Sequence, residues 1–182
     1  MIADPPSVTA SGPYDRYVGV TGAILRAHAP LDRETVRRFV QATMDSDPLY
    51  HDEAFAAASR EGTIVAPALY PVHAFRTPAG APDPLAALWA DPDADGTQGM
   101  EGVHFGLAPI DSPFKRLVNG GNEFEVSRCL AVGELCVAQA RYASVELKQA
   151  KSGPMLVVQI ETEFRTDAGD RLLISRQTLL WR

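Results

Sequence analysis

The sequence predicts an α+β domain in which a curved antiparallel sheet wraps a helix. One apolar stripe at helical spacing, Val36, Phe39, Val40, Thr43 and Met44, lies early in the chain. From Arg116 onward the pattern becomes four β runs joined by short turns. The helices precede the strands instead of alternating with them, which leaves no parallel βαβ unit.

A chain of 182 residues with 46% hydrophobic and 22% charged residues suits one globular domain. The net charge of −6 argues against nucleic acid or an anionic membrane as partner, because both favour a basic face. No run of apolar residues is long enough to span a bilayer. Met1 to Pro6 shows neither a basic n-region nor an apolar h-region, so a cytoplasmic protein without a signal peptide is expected.

Residues 1–15 are expected to form a loose tail, and 16–182 a single domain. Tyr17 to His28 supplies a first strand with glycine irregularities. Asp32 caps the helix, Glu34 suits its dipole, and the helix is expected to end at Asp45 before Pro48. Asp52 caps a second, alanine-rich helix through Ser59, and Gly62 closes it. Thr63–Ala66 is a short apolar run stopped by Pro67.

Residues 67–115 are read as a long covering loop. They hold Pro67, Pro71, Pro78, Pro82, Pro84, Pro92, Pro109 and Pro113, and only Asp83 to Ala90 suggests a helical turn. The β runs are Val118–Cys129, Glu134–Gln149, Met155–Thr166 and Arg171–Trp181. Leu156, Val158, Ile160, Thr162 and Phe164 mark the buried face of the third. Cys129 and Cys136 flank an expected hairpin turn over Leu130–Gly133 and are read as two reduced thiols.

The stretch Asp45-Ser46-Asp47-Pro48-Leu49-Tyr50-His51-Asp52 crowds carboxylates, a phenol and an imidazole onto a helix-ending loop. Such loops carry much of protein chemistry, although capping carboxylates at a solvated helix end explain the same pattern. Its register resembles the Asp-x-Asn-Pro-x-His-x-Asp loop of MaoC-type hot-dog hydratases and dehydratases. Asp47 stands in place of the Asn, and Tyr50 in place of the His. Gly120-Gly121-Asn122-Glu123-Phe124-Glu125-Val126-Ser127-Arg128, Lys151, Gly153-Pro154-Met155 and Glu161-Thr162-Glu163 resemble the FAS1-like, N-terminal dehydratase half of that superfamily. The resemblance covers roughly residues 16–182.

The resemblance implies a hot-dog fold acting on 2-enoyl or 3-hydroxyacyl thioesters of CoA or acyl carrier protein. It also implies pairing with another hot-dog subunit, as a homodimer or a heterodimer. The chemistry needs a water held between an Asp and a His, and backbone N–H groups at a helix N-terminus for the thioester oxyanion; at that place, after Val65, this chain has Ala66-Pro67, where proline offers no N–H. It calls for no cofactor and no metal. Asp45 matches the catalytic Asp, whereas Tyr50 is a poor base at neutral pH and His51 is one residue out of register. Asp47, Pro48, Gly120 and Gly121 are the implied substrate-binding positions. Two-domain members of the family pair an N-terminal hot dog lacking the full Asp/His pair with a C-terminal one that has it, and this chain resembles the first. The expected activity is therefore that of a partner-dependent hydratase or dehydratase subunit. The alternatives are a self-sufficient homodimer using Asp45 and His51, and a non-catalytic acyl-thioester binder.

Asp91, Asp93 and Asp95 before Gly96 match the opening of a calcium loop. Glu101 falls eleventh where the closing Glu should be twelfth, which favours a solvated acidic turn. His73 and His104, in the proline-rich stretch, are weak pocket candidates.

Overall fold

The computed structural model describes residues 12–75, 80–82, 86, 90, 92, 105–114, 116–151 and 153–182. Five strands form one antiparallel sheet: β1 (Leu25–Arg26), β2 (Leu117–Val126), β3 (Cys136–Ala150), β4 (Gly153–Thr166) and β5 (Arg171–Trp181), in the order β1-β3-β4-β5-β2. Two helices precede the long strands, α1 (Arg33–Thr43) and α2 (Glu53–Ala58). The α+β class and the curved antiparallel sheet of the hot dog are as the sequence predicts.

Helix α1 starts where Asp32 accepts a hydrogen bond from the Thr35 N–H at 2.7 Å. Val36 and Val40 are buried and Phe39 half-buried, as one face of a helix requires. The stripe fails at its end. The helix stops at Thr43, and Met44 adopts a left-handed conformation with φ 55°, which turns its side chain into solvent at 90% exposure. Glycine is the usual residue at such a cap because it lacks the Cβ that makes this region costly.

Helix α1 meets the sheet through an aromatic stack contributed by the segment after Pro67. Phe39 packs edge-on against Tyr70 at 5.3 Å between centroids, and Phe75 and Phe105 pack on Phe164 of β4 at 6.1 and 5.4 Å. The ends of the proline-rich stretch therefore belong to the core, and Tyr70, Ala74, Leu107 and Ile110 are buried. Most of Asp83–Ala90 lies outside the described residues, as do His104 and the acids Asp91, Asp93 and Asp95; the Ala90 N–H bonds the Ala86 carbonyl at 3.3 Å.

The buried face of β4 alternates as predicted, with Leu156, Val158, Ile160, Thr162 and Phe164 all inside. Thr162 faces Ser175 across β4 and β5, between one apolar cluster around Phe164 and another around Ile160. The first strand is shorter than expected: of Tyr17–His28 only Leu25–Arg26 is strand, with an isolated bridge from Thr21 to Arg141. Gly22 explains one irregularity, because a Cβ there would lie 2.8 Å from the Gly106 backbone.

The topology corrects one expectation. β2 and β3 are not a hairpin: β2 pairs with β5 at one edge of the sheet, and residues 127–135 carry the chain across to β3, which lies between β4 and β1. Cys129 and Cys136 accordingly do not face each other across a turn. Both are free, Cys136 buried and Cys129 half-buried, and burial pushes the Cys136 thiol up to about 12.

Candidate functional site

The loop after α1 is built from backbone bonds to its own acids. The Asp47 N–H reaches Asp45 Oδ1 at 3.2 Å, and the Leu49 N–H bonds Asp47 Oδ1 at 2.9 Å. Pro48 opens a 3₁₀ turn over Pro48–Tyr50, a position where its missing N–H costs nothing. The Pro48 carbonyl accepts from the N–H groups of His51 at 3.2 Å and Asp52 at 2.8 Å. Asp52 Oδ1 then accepts from Phe55 at 3.0 Å and starts α2. Asp47 and Asp52 are thus capping groups. Asp45 is solvent-exposed and holds one longer bond.

The two aromatic candidates point to different environments. Tyr50 is half-buried and packs with Leu49 against the core cluster around Phe164. Burial, followed by the fields of Asp45, Cys129 and Asp47, raises its phenol above the ordinary 10.0. At neutral pH it is a neutral hydrogen-bond donor and not a base. His51 is exposed, with Nε2 3.5 Å from the Ser46 carbonyl, so its ring folds back over the loop and away from the core.

Gly120 and Gly121 are not brought to this loop. They form the bulge of β2, where the register slips between Asn119 and Gly121, opposite Thr178 on β5. Gly121 has φ 132°, and a Cβ on Gly120 would lie 3.1 Å from Thr178. The bulge opens five residues along β5 from Leu173, which belongs to the cluster under α1, a separation of about 16 Å at strand rise.

A cavity of about 210 Å³ lies at the other end of α1, lined by His28, Asp32, Thr35, Tyr70, Leu130 and Cys136 among others. The helix separates it from Asp45 by about 16 Å along its axis. The Asp32 carboxylate at its rim is occupied by Thr35, through N–H at 2.7 Å and hydroxyl at 3.0 Å. The apolar run before Pro67 offers no oxyanion donor at its end: the Ala66 N–H already bonds the Leu130 carbonyl at 2.9 Å, and Pro67 has none. His73 is exposed, its ring 5.5 Å from Phe39. Among the described residues no group of three His, Cys, Asp or Glu side chains is placed to hold a metal ion, and no helix is long and apolar enough to cross a membrane.

Two arrangements were not legible as sites in the sequence. Arg128 grips Glu134 with two hydrogen bonds at 2.9 and 2.8 Å and reaches Asp170 at 3.2 Å, clasping the crossover. Arg176 gathers Glu123, Glu125 and Glu161 on the outer face of the sheet. The alternation Glu123-Phe124-Glu125 was the available signal, and it shows only that both acids share a face.

The chain is 27% identical over 150 residues to a UPF0336 protein of Thermobifida fusca (strain YX), covering 82% of each. It superposes on the ChsH1-ChsH2 complex from Mycobacterium tuberculosis with a TM-score of 0.66 and 19% identity, over 88% of this chain and 83% of that one. The R-hydratase PhaJ1 from Pseudomonas aeruginosa gives 0.56 at 14% identity, over 89% and 79%. The HadBC (3R-hydroxyacyl-ACP dehydratase) complex of Mycobacterium tuberculosis gives 0.53 at 19%, over 87% and 95%. Residues 19–174 match the FAS1-like, dehydratase domain region, and the chain belongs to that family.

Proposed function

We propose that this chain is the partner-dependent subunit of a hydro-lyase that interconverts 2-enoyl and 3-hydroxyacyl thioesters of CoA or acyl carrier protein. The observation that carries the reading is Tyr50. The position that should hold the second acid–base group holds a phenol whose pKa is raised by burial and by Asp45. Hydration needs one group to take a proton from water while a proton reaches the substrate's α-carbon. Asp45 can hold the water, but a neutral phenol cannot accept its proton. The absence of an open N–H at Ala66-Pro67 supports the same reading, because the thioester oxyanion then needs donors from elsewhere.

The partner would be a second hot-dog subunit with an intact Asp/His loop. Two of the similar structures are complexes of paired chains, which supports this assembly. Residues 16–182 act in this reading as one domain, with Pro48 and Asp47 shaping the loop that carries Asp45 and Tyr50. Co-purification with such a subunit tests the reading. Turnover of a 2-enoyl thioester in the pair and not in this chain alone is expected; equal turnover by this chain alone would overturn it.

A further inference from the structure

The cavity at the start of α1 is built unlike the exposed loop around Asp45. Its floor is formed by the buried residues Ala27, Tyr70, Ala74, Leu130 and Cys136. Its mouth carries the polar side chains of His28, Asp32 and Thr35, the first two exposed to solvent. The Cys136 thiol is 1% exposed and has no hydrogen-bond partner among the described residues. Buried donors without a partner are rare, and each calls for a reason. With burial pushing it up to about 12, the thiol stays protonated and offers a neutral, polarizable contact, not a nucleophile.

Asp32 sets the charge at the mouth. Its carboxylate caps α1, and the Thr35 N–H at 2.7 Å holds it below the ordinary 3.8. Thr35 fills two of a carboxylate's roughly four acceptor sites, through its N–H and its hydroxyl. No cation pairs with Asp32 among the described residues: Arg33 is held by Glu53, and Arg38 by Glu34. A helix N-terminus ordinarily favours an anion, but Asp32 already occupies this one, and a second anion would meet a like charge. Among the described residues Cys136, His28 and Asp32 do not converge closely enough to hold a metal ion.

We propose that this cavity binds a small organic cation, a protonated amine on an apolar body of about six to eight carbons. A dry cavity of about 150 Å³ accepts benzene, and this one measures about 210 Å³. The apolar body lies against Leu130, the Tyr70 ring and the Cys136 sulfur. The ammonium donates to the acceptor sites of Asp32 that Thr35 leaves open. The length of α1, about 16 Å, separates the cavity from Asp45, so the site is independent of the hydratase-subunit reading. The ligand would join the start of α1 to the turn that carries Tyr70 and Ala74, and so stabilise the fold by mass action.

Cyclohexylmethylamine, cyclohexylmethanol and cyclohexanecarboxylate share one apolar ring and differ in charge. Calorimetry and thermal unfolding of the full chain with each of them test the proposal. The amine should bind several-fold more tightly than the alcohol at low salt and raise the unfolding midpoint as its concentration rises, and the carboxylate should bind worst. Asp32→Asn should keep the helix, because Asn caps as well as Asp, and should bring the amine down to the alcohol. Methylmercury labelling read by mass spectrometry places the ligand: the amine should slow reaction at Cys136 and leave Cys129 unchanged. That measurement needs no variant and decides even if Asp32→Asn fails to fold. Equal binding of amine and alcohol by the native chain, tighter binding of the carboxylate, an amine advantage that survives Asp32→Asn, or an unprotected Cys136 would each overturn the inference. None of these readouts uses turnover, so failure here leaves the hydratase-subunit reading standing, and activity of the chain alone would remove that reading and leave this site.

Discussion

Arg128 and Glu134 hold each other by paired hydrogen bonds of 2.9 and 2.8 Å at the two ends of the crossover that carries the chain from β2 to β3. Glu134 Oε2 also accepts from the Ala131 N–H at 2.8 Å, so one carboxylate closes the loop twice. Both side chains are 29% exposed, dry enough for the pair to matter. Arg128→Ala should destabilise the fold by about 1–3 kcal/mol, measured by denaturant unfolding.

The same pair sets an acid limb of stability. Burial alone would raise the Glu134 carboxyl, but the bonds from Arg128 and Ala131 outweigh it and hold it below the ordinary 4.5. A depressed carboxyl contributes its full stability above the unfolded value and loses it as pH falls through the folded one. Stability should therefore drop as pH falls below 4.5, and Glu134→Gln should flatten that limb in melts run across pH.

Met44→Gly should leave the fold unchanged or stabilise it by up to about 1 kcal/mol, because Met44 sits in the left-handed region and 90% in solvent. A core methionine truncated in this way would instead cost about 2–5 kcal/mol. A lowered midpoint of thermal unfolding of that size would restore Met44 to the core.

Much of the architecture was legible because it is local. The caps Asp32 and Asp52, the burial of Val36 and Val40, and the alternation of β4 each follow from a few neighbouring residues. Met44 was not legible, since periodicity continues past the point where the backbone turns left-handed. The place of β2 was not legible either: nothing within residues 127–135 distinguishes a hairpin from a crossover, and only pairing with β5 decides. The acids of the candidate loop were visible at once, while their occupation by Leu49 and Phe55 N–H groups needed the structure. Gly120 and Gly121, which the resemblance implies at the substrate, instead form a bulge opposite Thr178.

Tyr50→His alone should restore little activity. The new imidazole would enter a half-buried place shaped for a phenol, and the Ala66 N–H would still be spent on Leu130. A rise of more than about tenfold in kcat/KM for a 2-enoyl-CoA would show that only the base was lacking.

Hydration of a 2-enoyl-CoA by the purified chain, followed through loss of its ultraviolet absorbance, tests the central claim most directly. Missing one acid–base group typically lowers the rate about a hundred- to ten-thousandfold. The account predicts turnover that is very slow in the native chain and little changed by Asp45→Asn or His51→Ala. Robust turnover that collapses in both variants would contradict it and make Asp45 and His51 the catalytic pair of a self-sufficient enzyme.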